Sequence, residues 1–169
     1  MLPTIRPARA EDVAAIDTLL RESFPAPAEA NLVRDLCVDG DMVLMLVAEH
    51  DGALLGTIAF SRMTVSVGAK SVPSVALAPI AVSPAYRQQG VAEALVQAGL
   101  DHLEASGIVL CFVLGDPAFY ARFGFDAAYA KNFASPYAGD YLMAYPLQGG
   151  LMPCGVREGA THAPAFARL

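Results

Sequence analysis

Cysteine is scarce in this chain: Cys37, Cys111 and Cys154 are the only three in 169 residues. Their odd number and wide spacing argue against a disulfide framework and against a zinc site, and fit a reducing cytosol. Basic charge is short as well, with 11 Lys and Arg against 17 Asp and Glu and a net charge of −6. That balance argues against broad binding to nucleic acid or to an anionic membrane, and is compatible with a cationic acceptor such as an amine. No apolar run is long enough to span a bilayer; residues 42–48 and 108–114 have the length of buried strands. Met1-Leu2-Pro3-Thr4-Ile5-Arg6 offers no apolar h-region, so no signal peptide is expected and the chain is expected to be cytoplasmic. Neither a Gly-Lys-Ser/Thr loop nor a Gly-x-Gly-x-x-Gly turn occurs, which weighs against an NTPase and a dinucleotide enzyme. His50, His102 and His162 lack metal-ligand spacing; each is expected on the surface or on a helix face, and no metal is expected.

What is present is a globular composition, 55% hydrophobic, without repeats or low-complexity spacers. One domain over residues 1–147 is expected, followed by a Gly- and Pro-rich extended tail over 148–169 packed on it. A short strand is expected over residues 4–9, then a helix over 11–22 with Val13, Ile16, Leu19 and Leu20 at helical spacing. Phe24-Pro25-Ala26-Pro27 breaks it, and a second helix over 28–37 ends at Asp39-Gly40-Asp41. Strands over 42–50 and 53–63 are joined by Asp51-Gly52, a strong hairpin signal. A third strand covers 72–82. Proline has no N–H to donate, so Pro79 predicts a bulge or an unpaired side there. Residues 90–106 form an amphipathic helix with Glu93, Gln97, Asp101 and Glu104 on its polar face, closed by Gly107. The apolar run 108–114, with Cys111 inside it as core, completes a strand-helix-strand unit with a parallel crossover. A short helix over 118–123 and a strand over 140–147 follow. Cys154 lies in the tail with no catalytic partner motif.

The turn into the long helix carries the chemistry. It reads Ala81-Val82-Ser83-Pro84-Ala85-Tyr86-Arg87-Gln88-Gln89-Gly90-Val91-Ala92. The first amides of a helix lack intrahelical acceptors and sit at the positive end of its dipole, where a pyrophosphate is favoured. Gly90 and Ala92 leave those amides accessible, and Arg87 adds a charge-assisted contact. Arg87-x-x-Gly90-x-Ala92, between a strand ending Ile80-Ala81-Val82 and a long helix, resembles motif A of the GNAT acetyltransferase superfamily. Downstream, Phe119-Tyr120-Ala121-Arg122-Phe123-Gly124-Phe125 resembles that family's motif B, in the right order and at the right spacing. The lead-in Gly115-Asp116-Pro117-Ala118 and the final Pro164-Ala165-Phe166 resemble a branch of small bacterial acetyltransferases.

The resemblance implies an α/β fold of the α+β kind: a mixed, mostly antiparallel central sheet flanked by helices, with a splayed cleft for acetyl-CoA. It implies transfer of an acetyl group from acetyl-CoA to an amine, by direct attack in a ternary complex without an acyl-enzyme. Ile80, Ala81 and Val82 would pair with the pantetheine arm. The amides of Gln88, Gln89, Gly90, Val91 and Ala92 would hold the pyrophosphate, and Arg87 or Arg122 would meet the 3′-phosphate. Tyr120 matches the family tyrosine that protonates the leaving thiolate. Its ordinary pKa of about 10, against about 8.5 for a thiol, makes full donation uphill by roughly 2 kcal/mol, so a hydrogen bond to the thiolate is the alternative. No acid stands on the motif A strand, and Glu29, between the first two helices, is the candidate base. Two departures bear on Tyr120: Val113 stands where the family often has asparagine, and Asp116-Pro117 shortens the link. A small-molecule or peptide amine is the implied partner, and a homodimer is compatible, since dimers are common among relatives. The alternative to an enzyme is a non-catalytic acyl-CoA-binding sensor of the same fold.

Overall fold

A computed structural model describes residues 3–150 and 158–169; Cys154 lies outside the described residues. The chain divides into two compact units, Met1–Phe60 with Ala78–Asp101 and Pro164–Leu169, and Ser61–Leu77 with His102–Ala163.

In the first unit, strand β1 (Thr4–Pro7) is followed by a 3-10 turn (Ala10–Asp12), helices α1 (Val13–Ser23) and α2 (Ala28–Asp39), and strands β2 (Met42–His50) and β3 (Ala53–Val67). The last part of β5 (Ser74–Val82) and most of α3 (Val91–Ala105) complete it. The strand order is β1-β2-β3-β5. β1 runs antiparallel to β2, from Thr4 opposite Glu49 to Pro7 opposite Leu46. Asp51 and Gly52, with φ of 50° and 80°, both turn left-handed. That is the requirement of the tight hairpin turn the Asp-Gly pair signalled. Amphipathic α1 and α2 bury Ile16, Leu19, Leu20, Ala30 and Val33 against Val47 of β2 and Ala81 of β5. Gly40, at φ 77°, ends α2 by bonding Cys37 O while Asp41 N reaches Leu36 O at 2.9 Å, the paired closure that glycine permits.

Two glycines fix how closely α3 approaches the sheet. A Cβ on Gly99 would lie 2.4 Å from Phe60 Cζ. A Cβ on Gly56 of β3 would meet Ala81 O at 3.0 Å, Leu95 Cδ1 at 3.1 Å and Val91 Cγ1 at 3.2 Å. The first turn of α3 is therefore pressed against β3 and β5, with Val91 and Leu95 buried.

In the second unit the order is β3-β5-β6-β8, with β6 at Leu110–Leu114 and β8 at Leu142–Pro146. β5 and β6 pair in parallel from Ser74 opposite Leu110 to Leu77 opposite Val113. β8 pairs antiparallel with β6 on its other side. Short helices α4 (Pro117–Tyr120) and α5 (Ala127–Ala130) and the two-residue strands β4 (Lys70–Ser71) and β7 (Phe133–Ala134) fill the connections. Residues 158–161 form a strand, β9, which pairs with Thr64 and Val65 of β3 and with β7. The sheet is mixed and mostly antiparallel, with helices flanking it. Among the described residues, no helix is long and apolar enough to cross a membrane.

Candidate functional site

β5 is where the sequence signal and the geometry meet. On one side it is antiparallel to β3: Ser83 N donates to Leu55 O at 2.7 Å just past its end, and Val72 N to Val65 O at 2.9 Å ahead of its start. On the other side its parallel ladder stops at Leu77. Ala78–Val82, in the first unit, therefore has no ladder partner on the side away from β3 among the described residues. Pro79 falls in this stretch and its peptide is cis. Ile80 and Val82 are half-buried whereas Ala81 turns into the core. An unpaired strand edge of this kind accepts an extended, amide-bearing guest.

Beyond Val82 the chain makes a 3-10 turn, Pro84–Tyr86, and then the loop that opens α3. Arg87 Nε donates to Val82 O at 3.0 Å, which ties the loop back to the strand end. Gln88 has φ 60° and Gly90 φ 86°. A non-glycine residue held left-handed costs roughly 1–2 kcal/mol, and such strain is concentrated where function requires it. Left-handed residues in short succession turn consecutive amides toward one concavity, a shape that binds anions. Ala94 N bonds Gly90 O at 3.1 Å, so the amides before it belong to the open first turn of the helix. Arg87, Gln88, Gln89 and Gly90 are exposed, and a Cβ added to Gly90 would touch nothing within 4 Å. Ile80 to Val82 and Arg87 to Ala92 thus lie along one strand-loop-helix segment, with the Ala81 and Val91 side chains turned into the core.

Glu29 lies in the first turn of α2. It is half-buried, and its Oε2 is buried with no hydrogen-bond partner among the described residues. The next residue, Ala30, packs in the same apolar cluster as Ala81 of β5, so this helix start is anchored on the core behind the candidate strand. An orphan buried carboxylate oxygen is costly. Such an atom calls for a polar partner, which a water or a ligand can supply.

Tyr120 and Arg122 belong to the second unit. Asp116 caps α4 by accepting Ala118 N at 3.0 Å, which turns the shortened Asp116-Pro117 link into a helix start. The Tyr120 ring is 8% exposed and lies edge-on to Phe119 and Phe125, at 4.9 and 5.7 Å between centroids. It also packs on Gly115, where a Cβ would come within 2.6 Å of its Cε2. Burial, with Cys111 adding a little, pushes the phenol up to about 12. Measured against a thiol at about 8.5, full proton donation becomes uphill by about 5 kcal/mol. Burial thus adds to the cost of full proton donation and leaves a hydrogen bond the easier contribution of this hydroxyl. Gly124, at φ 108°, makes the turn that buries Phe125. The Arg122 guanidinium stacks over the rings of Phe119 and Phe123, at 4.6 and 5.7 Å, and its Nε donates to Phe119 O.

Sequence reasoning missed Gly115 as the backrest of Tyr120. Its only signal was a glycine directly before the capping Asp116. The expectation for His162 is corrected: it is half-buried rather than a surface residue, edge-on to Tyr137 at 4.9 Å, and burial pulls its imidazole down to about 4. Cys111 is fully buried, as the apolar run implied.

The GNAT acetyltransferase domain profile matches residues 4–128. Escherichia coli strain K12 YhbS, named as an uncharacterized N-acetyltransferase, is 48% identical over 118 residues, covering 69% of this chain and 70% of that protein. YjhQ of the same strain, named in the same way, is 33% identical over 159 residues, covering 92% of this chain and 81% of that one. Among solved structures, E. coli YhbS in complex with CoA superposes with a TM-score of 0.90 at 37% identity, over 100% of this chain and 94% of that one. A Brucella melitensis GNAT acetyltransferase in complex with acetyl-CoA superposes with a TM-score of 0.78 at 28% identity, over 96% and 97%.

Proposed function

Given that the chain belongs to the GNAT family of acetyltransferases, we propose that it moves an acetyl group from acetyl-CoA to a primary amine by direct attack in a ternary complex. The observation that carries this reading is the left-handed Gln88 and Gly90 opening α3 directly beside the unladdered strand edge Ala78–Val82. YhbS and the Brucella protein, bound to CoA and acetyl-CoA respectively, support the donor. The exposed edge at Ile80 to Val82 receives the amide-bearing pantetheine arm in strand fashion. The amides of Gln88 to Ala92 receive the pyrophosphate at the positive helix end, and Arg87 or Arg122 meets the 3′-phosphate.

In the reaction the amine nitrogen attacks the thioester carbonyl, a C–N bond forms, the C–S bond breaks and CoA leaves as thiolate. The amine gives up a proton, and Glu29 is the base that takes it, through water where the acceptor stands off. Its unpartnered Oε2 supports this role. A carboxylate with no ion-pair partner among the described residues also favours a protonated amine over a neutral or anionic acceptor. Tyr120 donates a hydrogen bond to the developing thiolate, a contact stronger in the transition state than in the ground state.

The test is thiol release from acetyl-CoA across a panel of polyamines, amino acid esters and peptides with free amino groups. Turnover on one class, with Glu29→Gln lowering kcat while acetyl-CoA affinity holds, is the expected result. Acetyl-CoA binding without release on any amine leaves the domain as an acyl-CoA sensor.

A further inference from the structure

A hydrogen bond from Tyr120 to a leaving thiolate requires its hydroxyl in a fixed place, and its own helix cannot fix that place. α4 is a single turn, Pro117–Tyr120, continued by a 3-10 turn, Ala121–Phe123. Phe119, edge-on to Tyr120 at 4.9 Å, is the preceding residue of the same turn and moves with it. Anchorage has to come from the sheet. One anchor is Gly115, just past β6, against which the ring rests. The other runs through Phe125 to β8.

Phe125 is buried and stands edge-on to Tyr120 at 5.7 Å. Its backbone is tied to β8 through the next residue: Asp126 N donates to Ala144 O at 3.0 Å, and Ala144 N to Asp126 O at 3.1 Å. Its ring lies 5.4 Å from the ring of Tyr145, the residue after Ala144, at an interplanar angle of 47°. Gly124 permits that approach. A Cβ there would come within 2.8 Å of Tyr145 Cε2, so the Tyr145 ring lies close over the Gly124 backbone.

Tyr145 is itself seated in the sheet, opposite the fully buried Cys111 of β6. Directly opposed residues of an antiparallel pair share a face. Cys111 and Gly115 lie four residues apart along one extended run, so they point to that same face. Tyr145 and the Gly115 seat of Tyr120 are therefore on one side of the sheet, with Phe125 in ring contact with both tyrosines.

We propose that Tyr145 is a positioning residue for acyl transfer: its ring holds Phe125, and Phe125 holds the Tyr120 hydroxyl where the thiolate forms. The proposal rests on the reading of Tyr120 as hydrogen-bond donor to that thiolate. The contacts are made by the ring of Tyr145, so its own hydroxyl is dispensable.

The experiment measures thiol release from acetyl-CoA by wild type, Tyr145→Phe and Tyr145→Leu, each also combined with Tyr120→Phe. Tyr145→Met replaces Tyr145→Leu if leucine lowers Tm below the assay temperature. Tyr145→Phe is expected to match wild type. Tyr145→Leu is expected to lower kcat about two- to twelvefold, the equivalent of the 0.5–1.5 kcal/mol that one ring pair contributes. Its KM for acetyl-CoA should be unchanged. With Tyr120→Phe in place, Tyr145→Leu should lower kcat no further, because both changes act on one interaction. An equal loss in both backgrounds would reduce Tyr145 to a general structural role and overturn the proposal, as would full kcat in a folded Tyr145→Leu.

A second readout needs no turnover: NMR of the protein with isotope-labelled tyrosine rings, the Tyr120 signal being the one missing from Tyr120→Phe. That signal is expected to shift or broaden in Tyr145→Leu and to keep its place in Tyr145→Phe. A signal unmoved by Tyr145→Leu would overturn the proposal whatever the kinetics. Were no amine acetylated, the acetyl-transfer reading would fall and the role of Tyr145 in the reaction with it, while the signal would still decide whether Tyr145 sets the place of Tyr120.

Discussion

Replacing Gly115 with alanine tests whether the position of Tyr120, rather than its mere presence, matters. The new Cβ would lie 2.6 Å from Tyr120 Cε2 and 3.3 Å from Cδ2. Restoring ordinary contact requires the ring to retreat by about 1 Å. Phe119 and Phe125 flank it edge-on, so the ring cannot slide sideways without moving them. Overpacking of this kind costs about 1–3 kcal/mol. At roughly 2–4 °C per kcal/mol for a chain of this size, Tm should fall by some 2–12 °C while the protein stays folded at 25 °C. A hydrogen bond to a charged group contributes about 1.5–3 kcal/mol, so losing it should lower kcat by roughly 10- to 150-fold. Tyr120→Phe should do the same without the loss of Tm, and the double variant should be no slower than Tyr120→Phe alone, since both remove one interaction. Steady-state thiol release from acetyl-CoA with any accepted amine reads the effect. A Gly115→Ala enzyme with lowered Tm and unchanged kcat would refute the assignment of Tyr120.

The other predictions concern the loop, the helix seat and pH. Gln88→Gly removes the strain of a left-handed glutamine, and after the added freedom of the unfolded chain should raise Tm by about 2–4 °C with acetyl-CoA affinity retained. Gly99→Ala places a methyl 2.4 Å from Phe60 Cζ and should destabilise by about 1–3 kcal/mol in urea melts, with Phe60→Leu restoring part of the loss. Tyr120 titrates near 12 in the fold against about 10 unfolded, so the fold favours the protonated phenol. That stability is complete below pH 10 and is lost as pH rises through 12, by about 3 kcal/mol at most; Tyr120→Phe should flatten this part of the stability curve. Asp12, held by Arg6 at 2.7 and 3.0 Å and by the Arg9 amide, is pulled down to about 2. Its contribution should be complete above pH 4 and lost as pH falls through 2, and Asp12→Asn should remove that acid-side loss.

The legible parts of the fold were those fixed by local chemistry. Asp51-Gly52 could only be a tight hairpin, because both residues must turn left-handed. Gly40 and Gly107 marked helix ends for the same reason, and the apolar run around Cys111 had no alternation, as a strand covered on both faces should not. What escaped reading depends on partners distant in the chain. β9 is Glu-Gly-Ala-Thr, with neither alternation nor β-branched enrichment, and it exists because Thr64 and Val65, about a hundred residues earlier, offer it an edge. At the candidate site, the loop was legible because glycine placement constrains a backbone. The burial of Tyr120 was not, since the same Phe-Tyr pair reads alike whether Gly115 or solvent lies beside it. Nor was the orphaned Oε2 of Glu29, whose missing partner only three-dimensional packing reveals.

The central claim is that the Gln88–Ala92 amides hold the pyrophosphate of acetyl-CoA. Calorimetric titration with acetyl-CoA, beside ATP and NAD, tests it most directly, with wild type compared against Gly90→Leu. Because a Cβ at Gly90 meets no protein atom within 4 Å, the main cost expected of the substitution is the strain of its left-handed backbone, about 1–2 kcal/mol of stability. The account predicts micromolar binding of acetyl-CoA by the wild type, at least tenfold weaker binding by a folded Gly90→Leu, and no competition from NAD. Undiminished binding by Gly90→Leu, or no heat with acetyl-CoA at all, would contradict it.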